Sequence, residues 1–303
     1  MTLAGESAGS ACVSALCTSP LAKGLFHRVA GESSTVTAPE PAHSFRLLEE
    51  AYEAGEKTKE RLGAASAEAL RSMPAEKIVG EMQTHHHITV DGYVLEETPY
   101  ESYAKGIHNE EAQLHGYNRE EAAPFILFSQ ANMKNYEQKV RAAFDEPYAS
   151  RILALYPAST DEEAKRYWAD IYTAVLFSYG HWWWERQALQ NDIPVYVYHF
   201  TKENGRLGSW HSGEEVYLYG NIPADSGLYD EADRELSRIM LMYFRNFIAT
   251  GDPNGEGLPV WNRSTGAGKV QELGVQTAEA DAPYQELYAV LDEMFKVNAK
   301  KGS

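Results

Sequence analysis

The chain opens "MTLAGESAGSACVSALCTSP" (residues 1–20), and the pentapeptide Gly5-Glu6-Ser7-Ala8-Gly9 within it decides the fold. Gly-x-Ser-x-Gly is the pattern of a nucleophile elbow, a sharp turn that holds a serine between an entering strand and a departing helix. Backbone packs against backbone in such a turn, so the residues two before and two after the serine are expected to lack bulk. Gly5 and Gly9 meet that requirement. The departing helix is read over Ala8 to Leu16, a run of Ala, Ser, Cys, Val and Leu. The entering strand is short of residues, because only Met1 to Ala4 precede the pentapeptide.

Bulk composition bounds the rest. With 303 residues, 44% of them hydrophobic, the chain can bury a substantial core in one or two domains. Nineteen Tyr, ten Phe and six Trp point to an aromatic interior or a ring-lined pocket. A net charge of −17 argues against nucleic acid or an anionic membrane surface as the partner. No apolar run reaches the length of a membrane span, and no secretory leader is read, so the compartment stays open. The two cysteines, Cys12 and Cys17, sit five apart on the expected helix and do not face each other. They are expected to be small buried hydrophobes.

Along the chain, strand signals alternate with helical spacing. Residues 19–34 read as a turn, a short amphipathic segment and a brief strand. Helical spacing covers about 44–63 and 65–83, then 133–156, 160–190 and 230–250. "HHHITVDGYVLEETP" (85–99) mixes strand formers with an Asp-Gly turn, and "EAQLHGYN" (111–118) is a strand running into a polar loop. "IPVYVYHF" (193–200) is the clearest strand, dense in Val and Tyr. Strands separated by helices imply an α/β sheet, and residues 297–303 read as a disordered tail.

A serine nucleophile needs a base to take its proton and a carboxylate to orient that base. In α/β-hydrolases the chain order is serine, acid, histidine. His27, His43, His181 and His199 fall in helices, a strand or crowded segments, whereas His211 lies in the loop "GRLGSWHSGEE", eleven residues after Phe200. For the acid, Glu120 and Glu121 both follow the strand directly, and periodicity leaves the choice open.

The block "GESAGSACVSALCTSPLAKGLFHRVAGESS" (5–34) resembles the elbow region of the type-B carboxylesterases, the family that includes cholinesterases. "VDGYVLEETPYE", "LHGYNREEAAPF", "IPVYVYHF", "GSWHSGEEVYLYGN" and "LSRIMLMYFRNFIATGDPNGEGLPVWN" resemble its later blocks in the same order, from Leu3 to about Trp261. The resemblance implies one partial α/β-hydrolase domain over 1–303, a mostly parallel sheet flanked by helices, and serine carboxylesterase activity without a cofactor. It makes Ser7 the nucleophile. Glu121 becomes the acid, in an Asn-x-x-Glu pattern ending before Ala122. His211 becomes the base, in a Gly-x-x-His pattern with Glu214 shortly after. The backbone N–H of Ala8 is then an oxyanion donor, Glu6 supports the charged histidine, and Ser33 supports the buried acid. Glu32 and Ser34 flank Ser33 where the family has Gln and Gly.

The family carries a long portion ahead of the elbow, with early strands and a Gly-Gly-rich oxyanion loop. This chain is therefore expected to be the C-terminal part of a longer fold, which accounts for the missing strand. The expected partner is a small-molecule ester, with self-association or the absent N-terminal portion as further partners. A reading from another class is a catalytically impaired or inactive hydrolase-like fragment, lacking the oxyanion loop, that acts as a binding module or has no independent function.

The remaining motifs have structural explanations. Consecutive residues in an extended segment point to opposite faces, so His85 to His87 converge poorly on a metal ion. "HWWWE" (181–185) reads as core packing and "DPNG" (252–255) as a turn; Asn262-Arg263-Ser264 is a glycosylation sequon only in a secreted chain.

Overall fold

The computed structural model describes residues 1–39, 45–81, 87–204, 208–225 and 227–301. In chain order the elements begin with β1 (Thr2–Glu6), α1 (Ala8–Leu16) and β2 (Arg28–Glu32). An excursion follows: β3 (Phe45–Leu47), α2 (Leu48–Leu62), α3 (Ala67–Arg71), α4 (Ala75–Val79), β4 (Ile88–Val90) and α5 (Pro99–Ala104). The chain then returns through β5 (Ala112–Asn118) to a helical block, α6 (Tyr136–Ala143), α7 (Tyr148–Leu155) and α8 (Asp161–Thr173). A π-helical turn at Ala174–Ser178 joins α8 to α9 (Tyr179–Gln190). The last elements are β6 (Val195–Phe200), α10 (Glu215–Leu218), α11 (Glu231–Thr250), β7 (Lys269–Leu273), β8 (Thr277–Asp281) and α12 (Gln285–Lys301).

Six strands form the main sheet in the order β1-β2-β5-β6-β7-β8. The first five run parallel and β8 closes the far edge antiparallel. Every residue of β5 and β6 is buried, the signature of a parallel sheet covered on both faces. Period-2 alternation divides the two cores. Tyr196, Tyr198 and Phe200 pack with Tyr217, Tyr243, Phe247 and Trp261 on one face. Val195 and Val197 pack with Val13, Cys17, Tyr103 and Trp184 on the other. A third cluster, including Ile152, Trp168, Trp183 and Leu291, joins the helical block to α12.

The structure corrects several expectations. Strand β1 takes in Gly5 and Glu6 and pairs residue by residue with β2, so the entering strand reaches five residues, an ordinary length. The single helix expected over 65–83 is two short ones parted at Pro74, and Pro147 similarly separates α6 from α7. Residues 40–44 and 82–86, at the ends of the expected helices, lie outside the described residues. The β7–β8 hairpin appears where no strand was read. Helix α12 runs to Lys301, into the segment 297–303 read as a disordered tail, whose last two residues lie outside the described residues. Among the described residues no helix is long and apolar enough to cross a membrane.

Candidate active site

Ser7 caps the N-terminus of α1 at φ 53° and ψ −120°, a conformation few non-glycine residues adopt. Its N–H donates to the Glu32 carbonyl at 2.8 Å, and its own carbonyl accepts from Ala11 N–H at 3.0 Å. Two backbone bonds thus over-determine a strained residue, as local strain requires. Gly5 is mandatory, because a Cβ there would stand 2.5 Å from the Gly9 carbonyl carbon. Gly9 is different. A Cβ on it would meet nothing within 4 Å, so the crowding expected on both sides falls on Gly5 alone. The α-carbon of Gly5 faces the Gly9 backbone, while the side of Gly9 itself points outward from α1.

His211, in the loop after β6, lies with Nε2 2.8 Å from Ser7 Oγ and Nδ1 2.7 Å from Glu121 Oε2. Glu121 is fully buried beyond the end of β5, and its Oε1 accepts the Asn118 N–H at 2.7 Å. Its neighbour Glu120 goes elsewhere: its carboxylate accepts from Arg119 Nε and from the Ser209 N–H, both at 2.8 Å. The Glu120 N–H also donates to the Ser209 carbonyl at 3.1 Å, tying the acid loop to the histidine loop.

Glu6 Oε1 accepts from Ser212 Oγ at 2.7 Å and stands 3.3 Å from His211 Nε2. Ser33 Oγ donates to Glu214 Oε1 at 3.0 Å, and its hydroxyl also helps to hold down the pKa of Glu121, so it stands between the two buried acids. Glu214 also accepts from Asn118 Nδ2, which links it to the Glu121 anchor residue. Ala8 is the first residue of α1, where a backbone N–H has no intrahelical acceptor.

The electrostatics follow from burial among acids. Burial pulls the His211 pKa down, but the hydrogen bond and charge of Glu121, with Glu6 and Glu214, outweigh it and leave the pKa raised. Burial raises Glu121 against the pull of His211, and it raises Glu214 to about 8 with the help of the Glu121 charge. Glu32, the register partner of Glu6, is fully buried with neither carboxyl oxygen hydrogen-bonded, and burial lifts its pKa well above the usual range. The sequence marks Glu32 only as a flank of Ser33 that departs from the family pattern, and nothing in the chain shows that it is buried. It also missed the rings of Phe125 and Phe177, at 5.2 and 4.8 Å from the His211 ring.

Other expectations divide. Cys17 is buried as expected, but Cys12 is exposed, because it occupies the outer face of α1. In "HWWWE", Trp183 and Trp184 are buried, their indole N–H groups donating to Tyr179 and Tyr103 hydroxyls at 2.8 Å. His85 and His86 lie outside the described residues; among those described, no group of His, Cys, Asp or Glu could hold a metal ion. A groove of about 880 Å³ lies behind the acid loop, lined in part by Glu120, Ala123, Ile126, Leu127, Arg166 and Asp170. None of Ser7, Glu121 and His211 lines it.

A strained serine between a parallel strand and a helix, with acid and histidine on later loops of the same sheet, defines an α/β-hydrolase. The carboxylesterase family model matches residues 1–290, and the chain belongs to the carboxylesterase family. Carboxylesterase 1C of Rattus norvegicus is 26% identical over 325 residues, covering 98% of this chain and 59% of that protein. Liver carboxylesterase of Sus scrofa is 26% identical over 99% of this chain and 60% of that protein. Carboxylesterase 5A of Felis catus is 27% identical over 86% of this chain and 53% of that protein. The chain thus spans about 60% of the length of the first two relatives.

Proposed function

We propose that the chain carries the nucleophile, base and acid of a serine carboxylesterase acting on uncharged small-molecule esters. The observation that carries the reading is the continuous hydrogen-bonded path from Ser7 Oγ through His211 to Glu121. Ser7 Oγ attacks the ester carbonyl carbon while His211 Nε2 takes its proton. The carbonyl oxygen becomes an oxyanion, for which the Ala8 N–H is one donor. As the intermediate collapses, His211 returns the proton to the departing alcohol, leaving Ser7 acylated. Water, deprotonated by the same nitrogen, then releases the acid.

Glu121 keeps the Nδ1 proton in place and stabilises the imidazolium formed in each half-reaction. Glu6, 3.3 Å from Nε2, adds a second negative charge beside that cation. Ser33 supports the buried acids Glu121 and Glu214 together. Together these groups favour the charged histidine, the state a general base passes through. No organic or metal cofactor enters this scheme.

The outer edge of β1 has no strand partner among the described residues, and its residues are partly exposed. Unpaired strand edges seek partners, so self-association through this edge belongs to the same reading.

The test is hydrolysis of p-nitrophenyl acetate by the parent chain and by Ser7→Ala. Turnover lost with Ser7→Ala supports the reading, and turnover kept by it places the nucleophile elsewhere. A parent that binds esters without turnover would favour the impaired-fragment reading.

A further inference from the structure

The helical block meets the catalytic histidine at the π-helical turn Ala174–Ser178 between α8 and α9. A π turn takes up one residue more than an α-turn, and each added residue rotates the following face by about 100°. Such turns recur at functional sites. Here the last residue of α8, Thr173, uses its hydroxyl as acceptor for the Ala122 N–H at 3.1 Å. Ala122 directly follows Glu121, and Thr173 and Ala122 are both fully buried. Four residues on, Phe177 presents its ring 4.8 Å from the His211 imidazole, and Phe125 covers it at 5.5 Å. Phe177 is buried, whereas Phe125 is half-exposed.

We propose that Thr173 and Phe177 are positioning residues for the triad, one fixing the backbone of the acid loop and the other the plane of the imidazole. The Thr173 bond does something packing alone does not. A threonine hydroxyl in a helix can donate back to a carbonyl one turn earlier; here the Thr173 oxygen also accepts from the loop that carries the acid. Without it a buried amide beside Glu121 has no acceptor, and the loop must move to find one. Phe177 bars the imidazole from turning away from Ser7 on the helical side, a restraint that two hydrogen bonds on opposite ring nitrogens do not supply.

This proposal rests on the roles assigned above to Ser7, His211 and Glu121, and two readouts separate its failure from theirs. The first is the rate at which a fluorophosphonate probe labels Ser7. Thr173→Val keeps the shape and removes the acceptor, so it is expected to slow labelling about 10- to 100-fold, the scale of a 1 Å misplacement. Thr173→Ser, which keeps the hydroxyl, restores the rate, and Phe177→Leu slows it like Thr173→Val. The second readout is the hydrogen-bonded Nδ1–H proton of His211 in the NMR spectrum of histidine-labelled protein. That resonance is expected in the parent and in Thr173→Ser, and lost or broadened in Thr173→Val and Phe177→Leu. Parent-like labelling and an unchanged resonance in both Thr173→Val and Phe177→Leu would overturn the proposal. A parent that does not label, yet shows the same pattern of resonances, would retire the hydrolase reading and leave the positioning roles standing. Should Thr173→Val not fold, Phe177→Leu against the parent decides.

Discussion

Glu120 and Glu121 sit side by side in the chain and have the same chemistry, yet one meets His211 and the other clamps Ser209. Adjacent residues point different ways, and no periodicity says which way is inward. Ser7 and His211 were legible because an elbow motif and a loop following a strand are local features. The burial of Glu32 was illegible, because it comes from the place of β2 inside the sheet, between β1 and β5. Glu121→Gln is expected to keep the fold but lower kcat by roughly 10⁴, the cost of the wrong histidine tautomer in the analogous Asp case. Steady-state kinetics beside a melting curve checks both parts. The elbow glycines should behave oppositely. Gly5→Ala forces a Cβ to within 2.5 Å of the Gly9 carbonyl carbon and is expected to cost about 1–3 kcal/mol. Gly9→Ala enters open space in a helix and should stabilise by up to about 1 kcal/mol. Denaturant melts of the two variants must move to opposite sides of the parent.

Strands β5 and β6 and helix α11 stand where the sequence put them, because dense Val and Tyr runs and a long amphipathic pattern are strong local signals. Helix α11 also carries its own stops: the Asp230–Asp233 capping box at one end and Gly251 at φ 86° at the other. The β7–β8 hairpin had no such signal. Lys269, Glu272, Glu279 and Asp281 dilute its alternation, and β7 is held by pairing with β6. The π turn was equally silent, since one extra residue inside a helical pattern leaves the spacing on either side intact.

Across the whole molecule, two sets of buried groups set opposite pH dependences. Burial lowers His115 to about 3, and it lowers His181, whose Nδ1 lies 3.1 Å from that of His115, well below its usual 6.5. The unfolded chain therefore binds more protons than the folded one between about 6.5 and 3, so this stability is full above 6.5 and lost as pH falls. Glu214 and Glu32 act in reverse. Their raised pKa values, about 8 for Glu214, keep protons that the unfolded chain releases near 4.5, so that stability is lost as pH rises toward 8. The expected melting temperature is nearly flat between about 4.5 and 6.5 and declines on both sides. Glu214→Gln should flatten the alkaline side, and calorimetry across pH checks it; a monotonic profile would contradict the burial of one set. The open edge of β1 leads to a further expectation, concentration-dependent oligomers in size-exclusion chromatography, against which a clean monomer at all concentrations would count. Peptide-mapping mass spectrometry after exposure to a fluorophosphonate shows whether Ser7 is a nucleophile activated by His211. One covalent adduct is expected, on the peptide containing Ser7, absent from Ser7→Ala and strongly reduced in His211→Ala. An adduct on another residue, or equal labelling of His211→Ala, would contradict it.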